Sequence, residues 1–348
     1  MRKSFAAIIA FVLVLPVAPR TLLAQEGQEG DEDVVPKFIE WLKSGNALIR
    51  LSAVKLLGEK RDQRAVTPLI DTLKDDDVRV RTETCIALSK IERTRKSSPA
   101  TKPLTEVLLK DPEENVRKEA AIALGKIEDK KAKDALAKSM GEDKSNDVKH
   151  ESAFSLAVLE DTRAVDFLIK ELKDKDEGKR QDAAGGLGIL KAKKAVEPLI
   201  ESLKDKSKNV RSEVLRALGK IGDQKAIDPT IKLLKDEELD VRAQSALVLG
   251  DFKAKKAILP LASLFQDEER YARCAAAVAL GGIGDKDATP ALIKALSDTE
   301  KDVRLLVIDA LEKIKDVKAL EVLKKVAADD PSEAVRKKAQ TAIAKIEG

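Results

Sequence analysis

An all-α fold, an α-solenoid of about ten two-helix repeats with a period of about 31 residues, is what the sequence predicts. Three observations carry that expectation. The stretch 205–221 reads Asp, five residues, Arg, then an apolar run closing on Ala-Leu-Gly-x-Ile, and it returns with Arg211, Arg242, Arg273 and Arg304 at steps of 31 residues. The register continues back through Arg180, Lys149, Arg117, Arg81 and Arg50 and forward to Arg336, which makes ten copies. A fixed period of this size marks a stacked array, in which each unit buries its apolar face only against its neighbours. Within a copy the apolar residues recur at three- and four-residue spacing, the helical period. Finally, hydrophobic residues make up 43% of the chain and aromatics only 3%, so the interior is expected to be Ala, Leu, Ile and Val, which let helices lie close.

Taken in order, residues 1–24 read as a signal peptide: Arg2 and Lys3, an apolar run from Phe5 to Leu15, a break at Pro16, and Ala24 before Gln25. The run is too short to span a bilayer, so the expected location is extracytoplasmic, periplasmic or secreted, without a stable membrane span after cleavage. An uncleaved N-terminal anchor is the alternative, and a lipid anchor is disfavoured because no cysteine follows the run. Cleavage removes Arg2, Lys3 and Arg20 and lowers the formal net charge from +4 to +1. Residues 25–35 form an acidic leader expected to be flexible, and residues 36–348 hold the array.

Each copy opens on a helix such as Thr67-Pro-Leu-Ile-Asp-Thr-Leu, with proline in the first turn at Pro36, Pro68, Pro103, Pro198, Pro229, Pro260 and Pro290. A second helix follows from Val-Arg, with Asn115, Asp147, Asn209, Asp240 and Asp302 as expected N-caps and Gly222 and Gly284 as C-terminal caps. Gly58, Gly125, Gly188, Gly219, Gly250 and Gly281 recur inside that helix. A helical glycine costs about 1 kcal/mol against alanine, so the recurrence points to close backbone approach between repeats. The insertion Arg93–Pro99 is expected to be an exposed, mobile loop. Cys85 and Cys274, in different copies, are expected to be small core residues and not a disulfide.

Pro-Leu-Ile-x-x-Leu, Asp six before Arg, and Val-Arg-x-x-Ala-Ala-x-Ala-Leu-Gly resemble HEAT repeats of the short, bilin-lyase-like subclass, over about residues 36–348. For fold the motif is specific; for function it is weak, since the family contains scaffolds, adaptors and a few enzymes.

Nine pairs of an Asp and a basic residue stand six apart: Asp75 and Arg81, Asp111 and Arg117, Asp143 and Lys149, Asp174 and Arg180, Asp205 and Arg211, Asp236 and Arg242, Asp267 and Arg273, Asp298 and Arg304, Asp330 and Arg336. An aspartate in the turn can accept from the second helix's free N–H groups, while the arginine reaches aspartates of its own and the adjacent unit. The resemblance implies such a structural ladder along the array. Charge is also sorted by turn, acidic inside each copy (Asp75-Asp-Asp) and basic between copies (Lys253-Ala-Lys-Lys), which predicts one negative and one positive rim.

His150 is the only histidine, and His150-Glu151 stands where the deoxyhypusine hydroxylase branch of HEAT proteins carries metal ligands. That branch needs several His-Glu pairs, and here the same positions read Thr82-Glu83, Lys118-Glu119, Gln181-Asp182 and Ser212-Glu213. One imidazole cannot build that centre, so no metal or other cofactor is expected, and His150 is read as a surface residue. Glu83, Glu119, Glu151, Asp182 and Glu213 then line up in consecutive copies. Three residues on, Ile86, Ile122, Phe154, Leu247 and Val278 are apolar where other copies carry Lys55, Arg216, Asp309 and Thr341. These residues, with Arg216, form the candidate partner-binding face.

Basic and acidic side chains number 65 and 61, so no strong field recruits a polyanion, and one Trp and one Tyr supply little for base stacking. Nucleic acid is therefore not expected as a partner. The expectation is an exported, monomeric, non-catalytic scaffold or adaptor that binds a protein or peptide through its concave face and charged rims. An enzyme related to bilin lyases or to the hydroxylases, and a structural spacer of the envelope, are the alternatives.

Overall fold

The computed structural model describes residues 33–348. The expected signal peptide and all but the last three residues of the acidic leader lie outside them. The described residues are helical throughout, without strands. They fall into two units, the first ending at Ile91 and the second running from Glu92 to Gly348. Both are built of antiparallel helix pairs, and the fold class is the α-solenoid.

The first unit holds α1 (Val35–Trp41), α2 (Ala47–Lys60), α3 (Val66–Thr72) and α4 (Val78–Ile91). In the second unit the first helices of the pairs are α5 (Thr101–Lys110), α7 (Lys133–Glu142), α9 (Val165–Glu171), α11 (Val196–Ser202), α13 (Ile227–Lys232), α15 (Ile258–Ser263), α17 (Thr289–Ala295) and α19 (Leu320–Asp329). Their second helices are α6 (Glu114–Ile127), α8 (Asn146–Val158), α10 (Glu177–Ile189), α12 (Lys208–Ile221), α14 (Leu239–Asp251), α16 (Arg270–Ile283), α18 (Lys301–Ile314) and α20 (Glu333–Glu347). Within each unit, successive second helices pack against one another, as α10 does on α12 and α14 on α16.

Second helices bury leucines completely, among them Leu57, Leu88, Leu124, Leu187, Leu249 and Leu311 at 0% exposed, while α20, which has no leucine, buries Val335, Ala339 and Ala342. Most first helices contribute another, such as Leu69, Leu136, Leu199 and Leu292, equally buried. Each such leucine stabilises the stack by roughly 2 kcal/mol through burial, which is why short helices of 6 or 7 residues persist here. Thr230 takes the leucine place in α13 and satisfies its hydroxyl by donating to the Ala226 carbonyl at 2.7 Å.

The glycines inside second helices report how tightly these helices lie. A Cβ on Gly188 or Gly250 would stand 2.8 Å from the Cα of Ala217 or Ala279 in the next second helix. At Gly219 the same atom would meet Val248 at an ordinary 3.4 Å. Most second helices are closed by a left-handed residue at or just beyond their last turn. This is Gly222 (φ 76°) or Gly284 (φ 72°) in two copies, but Arg61, Glu128, Lys253 and Lys315 with φ of 49° to 62° in others.

Two local expectations are corrected. Second helices start earlier than read, so Asn115, Asp147, Asn209, Asp240 and Asp302 lie in the first turn. The N-cap stands at residues such as Ser145 and Ser207, whose hydroxyls accept from the free N–H groups of Asp147 and Asn209. The inserted segment 93–99 is exposed but tied down. Thr94 and Lys96 donate their N–H groups to the carbonyls of Lys126 and Ile127, at 2.9 and 3.2 Å, and so satisfy the C-terminal end of α6. Buried Asp129 holds the far side, accepting from Ser98 N at 3.3 Å and Thr101 Oγ1 at 2.8 Å.

Candidate functional site

The ladder aspartates sit in the turns inside each helix pair, and a typical one does two jobs. Its Oδ1 accepts from the N–H two residues on, as Asp205 does from Ser207 (2.8 Å) and Asp330 from Ser332 (2.8 Å). Its carboxylate also receives the arginine of the preceding copy, not the arginine six residues away. Arg180 grips Asp205 at 2.6 and 2.9 Å, and Arg304 grips Asp330 at 2.7 and 2.9 Å, both as two-pronged forks. Arg50 and Asp75 (2.6 Å) make the same fork in the first unit, and Arg117 with Asp143, Arg242 with Asp267 and Arg273 with Asp298 repeat it in the second. Arg211 reaches Asp236 through one nitrogen, 2.7 Å, leaving its Nε without a partner.

Between residues six apart the bond is to the main chain. Arg81 donates to the Asp75 carbonyl (2.8 Å), Arg211 to that of Asp205 (2.8 Å) and Arg336 to that of Asp330 (2.6 Å). One guanidinium thus ties its own turn to the next. The Arg304 fork holds the Asp330 carboxyl below its ordinary range, and Asp330 in turn raises Arg304. At Lys149 the ladder has a gap: the lysine makes no hydrogen bond or ion pair to Asp174, whose Oδ1 keeps only the Asp176 N–H at 2.8 Å.

His150 lies beside that gap and is buried, 4% exposed, which corrects its reading as a surface residue. Its Nδ1 is 2.6 Å from Oε2 of Glu171, itself buried at the end of α9, and its Nε2 is 3.4 Å from Oδ2 of Asp182 on α10. Burial opposes the imidazolium, but the bonds to Asp182 and Glu171 outweigh it and push the pKa up to about 9. The histidine is therefore a cation clamped between two carboxylates at neutral pH. Among the described residues no group of three or more His, Cys, Asp or Glu side chains is arranged to hold a metal ion.

The candidate face divides as the units do. Glu83 and Ile86 stand half-buried on α4 of the first unit. In the second unit Glu119 and Ile122 (α6), Glu151 and Phe154 (α8), Glu213 (α12) and Leu247 (α14) are half-buried, while Asp182 (α10), Arg216 (α12) and Val278 (α16) are exposed. Burial raises the Glu151 carboxyl, and the charges of Asp182 and Glu119 add to that rise, so these three acids share one field, relieved by His150 and Lys118. Glu213 lies over the bare backbone of Gly185 and pairs with Arg216 at 2.8 Å.

Arg216 and Leu247 also meet in a cleft of about 180 Å³ that crosses four successive second helices, from Gln181 on α10 through Asn209 and Ser212 on α12 and Gln244 on α14 to Tyr271 on α16. Sequence reading passed over these residues. The available signal was the run of uncharged polar side chains beginning at Gln181, directly after ladder Arg180, where earlier copies carry Lys118 and His150. On the opposite edge, lysines of the turns between copies pair with acids of the preceding first helix, Lys194 with Asp166 (2.5 Å), Lys225 with Glu197 (3.1 Å) and Lys256 with Asp228 (2.7 Å). The positive rim is thereby partly neutralised. Cys85 is buried and Cys274 half-buried.

The stacked helix pairs and the arginine ladder define an α-solenoid repeat protein. The model of HEAT repeats matches residues 35–106, 93–157, 142–210, 165–250, 196–273 and 258–344, and the chain belongs to the HEAT-repeat family. Among solved structures it is similar to the crystal structure of an engineered protein, at 23% identity and a TM-score of 0.54, covering 91% of this chain and 100% of the other. That likeness is one of fold. No curated protein matches. Among the described residues no helix is long and apolar enough to cross a membrane.

Proposed function

We propose that this chain is an exported, non-catalytic scaffold of the short-period, bilin-lyase-like HEAT subclass, which holds a protein partner against its second-helix face. HEAT arrays commonly mediate protein interactions, and the observation that carries the reading here is that face in the second unit. It leaves Ile122, Phe154 and Leu247 half-buried and Val278 and Tyr271 exposed, at 39% and 55%, on the face where Glu119, Glu151 and Asp182 also stand. Apolar side chains left partly open among fixed charges are the composition of an interface core with its polar rim. Export rests on the pattern of residues 1–24, and the absence of expected cofactors on the single histidine.

The test is affinity capture from an extracytoplasmic extract with the wild type, Phe154→Glu and Arg216→Glu. The expected result is that both variants keep their helical circular dichroism and lose the partner. Capture unaffected by both substitutions overturns the reading and favours a spacer; bound pigment or iron in purified material overturns it in favour of an enzyme.

A further inference from the structure

One stretch of the edge between copies keeps its positive charge. In later joints a basic residue of the turn is met by an acid at the start of the preceding first helix: Arg163 by Asp134 at 3.0 Å, Lys194 by Asp166, Lys225 by Glu197 and Lys256 by Asp228. Lys131 holds the same register before α7, but the acid's place at the start of α5 is taken by Lys102. The insertion adds to the same spot. Thr94 and Lys96, bonded through their N–H groups to the carbonyls of Lys126 and Ile127 at 2.9 and 3.2 Å, bring Arg93 and Lys96 beside the end of α6. Arg93, Lys96, Lys102, Lys126, Lys130 and Lys131 are all exposed, and none makes a side-chain hydrogen bond or ion pair among the described residues. The nearby acids are largely spent: Glu92 is buried with its carboxylate 3.5 Å from Arg95, and Asp129 is buried on Ser98, Thr101 and the Lys131 N–H. Glu128 remains, half-buried in the turn.

We propose that this patch rests on the surface of a bilayer carrying anionic lipid, holding the array at a membrane by its edge without entering the hydrocarbon. Like charges fixed within about one Debye length of each other, roughly 10 Å at 0.1 M salt, repel, and a plane of phosphates offsets that cost. No large apolar side chain of residues 93–102 or 126–133 is exposed, so the patch lacks the apolar centre that a protein partner would bury. The same residues include no aromatic side chain on which a nucleic-acid base could stack. What they offer is charge alone, spread over an open edge and held in place by main-chain bonds. Each lysine or arginine close to an anionic bilayer strengthens binding by about fivefold. The proposal is independent of the second-helix face and takes from the export reading only the form of the chain to be tested.

The test is sedimentation of the chain from Gln25 to Gly348, which holds every described helix, with vesicles of phosphatidylcholine, with and without phosphatidylglycerol. Expected is binding that requires phosphatidylglycerol and is lost as salt is raised. Lys102→Glu restores the acid of the later joints, removing one free cation and pairing Lys131, and is expected to weaken binding at least about tenfold. Its melting temperature is expected to be unchanged or higher, which separates lost binding from lost fold. Lys194→Glu makes the same change of charge where the lysine is already paired, more than a Debye length away, and is expected to alter binding less than about threefold. Equal weakening by the two substitutions, binding to phosphatidylcholine alone, or binding to neither vesicle overturns the proposal. Tighter binding of free polyglutamate than of the vesicles at equal charge overturns it in favour of an acidic polypeptide. Capture of a partner that depends on Phe154 is untouched by any of these outcomes, so the scaffold reading stands or falls separately.

Discussion

His150 and Glu171 come from consecutive repeats, 21 residues apart, and their side chains meet at 2.6 Å with both groups buried. This contact replaces the arginine fork missing at Lys149, so one joint of the array is held by an imidazolium where its neighbours use a guanidinium.

That exchange makes the joint sensitive to pH. The pKa of His150 is raised from 6.5 to about 9, so its contribution is complete below the unfolded value of 6.5 and is lost as the pH rises through about 9. A rise of this size corresponds to roughly 3 kcal/mol. Hydrogen exchange over residues 165–189 is expected to speed up between pH 7 and 9.5 beyond the intrinsic rate change, and His150→Gln is expected to be fast at both. Equal protection in the two proteins at pH 7 would contradict this.

The ladder works on the acid side. Asp330 has a lowered pKa, so its fork with Arg304 contributes above the ordinary 3.8 and is lost as the pH falls through the lowered value. Arg304→Met leaves Asp330 buried and unpaired, and a loss of about 3 kcal/mol is expected in urea unfolding at pH 7. As the pH falls through the lowered value of Asp330, the gap between variant and wild type is expected to narrow.

Two glycines on the same repeat position should respond in opposite directions. Gly250→Ala drives a methyl group to 2.8 Å from the Ala279 Cα and is expected to lower the melting temperature by several degrees. Gly219→Ala meets only Val248 at 3.4 Å and is expected to be neutral or to stabilise by up to about 1 kcal/mol through helix propensity. Similar melting shifts for the pair would refute close approach as the reason for the glycines.

Lys253 ends α14 with φ of 49°, where Gly222 and Gly284 occupy the same register in other copies. Lys253→Gly relieves a left-handed backbone and is expected to stabilise by about 0.5–1 kcal/mol. A lower melting temperature for this variant would show that the lysine side chain matters more than its backbone.

The repeat, the helix pairing and the members of the ladder were legible because Arg and Asp recur at one register in copy after copy. What a spacing of six could not tell is which groups meet. It places Asp205 and Arg211 close in sequence, whereas the Asp205 carboxylate is taken by Arg180 and Arg211 donates to the Asp205 carbonyl. The burial of His150 was illegible because its register also holds Thr82, Lys118 and Gln181, which tolerate water. Its partner carried the better signal: Glu171 is charged where other copies have Thr72, Leu108, Ser202 and Leu264. The anchoring of the insertion was hidden for a related reason, since Thr94 and Lys96 bond main-chain carbonyls, which carry no mark in the sequence.

From Arg180 to Asp330 each arginine bonds a carbonyl of its own turn and the carboxylate of the next, so the joints are alike apart from the single-pronged contact of Arg211. Gene duplication or loss could lengthen or shorten that stretch without inventing a new junction. The copy that holds Lys149 and His150 is the exception: its joint needs a successor that brings Glu171.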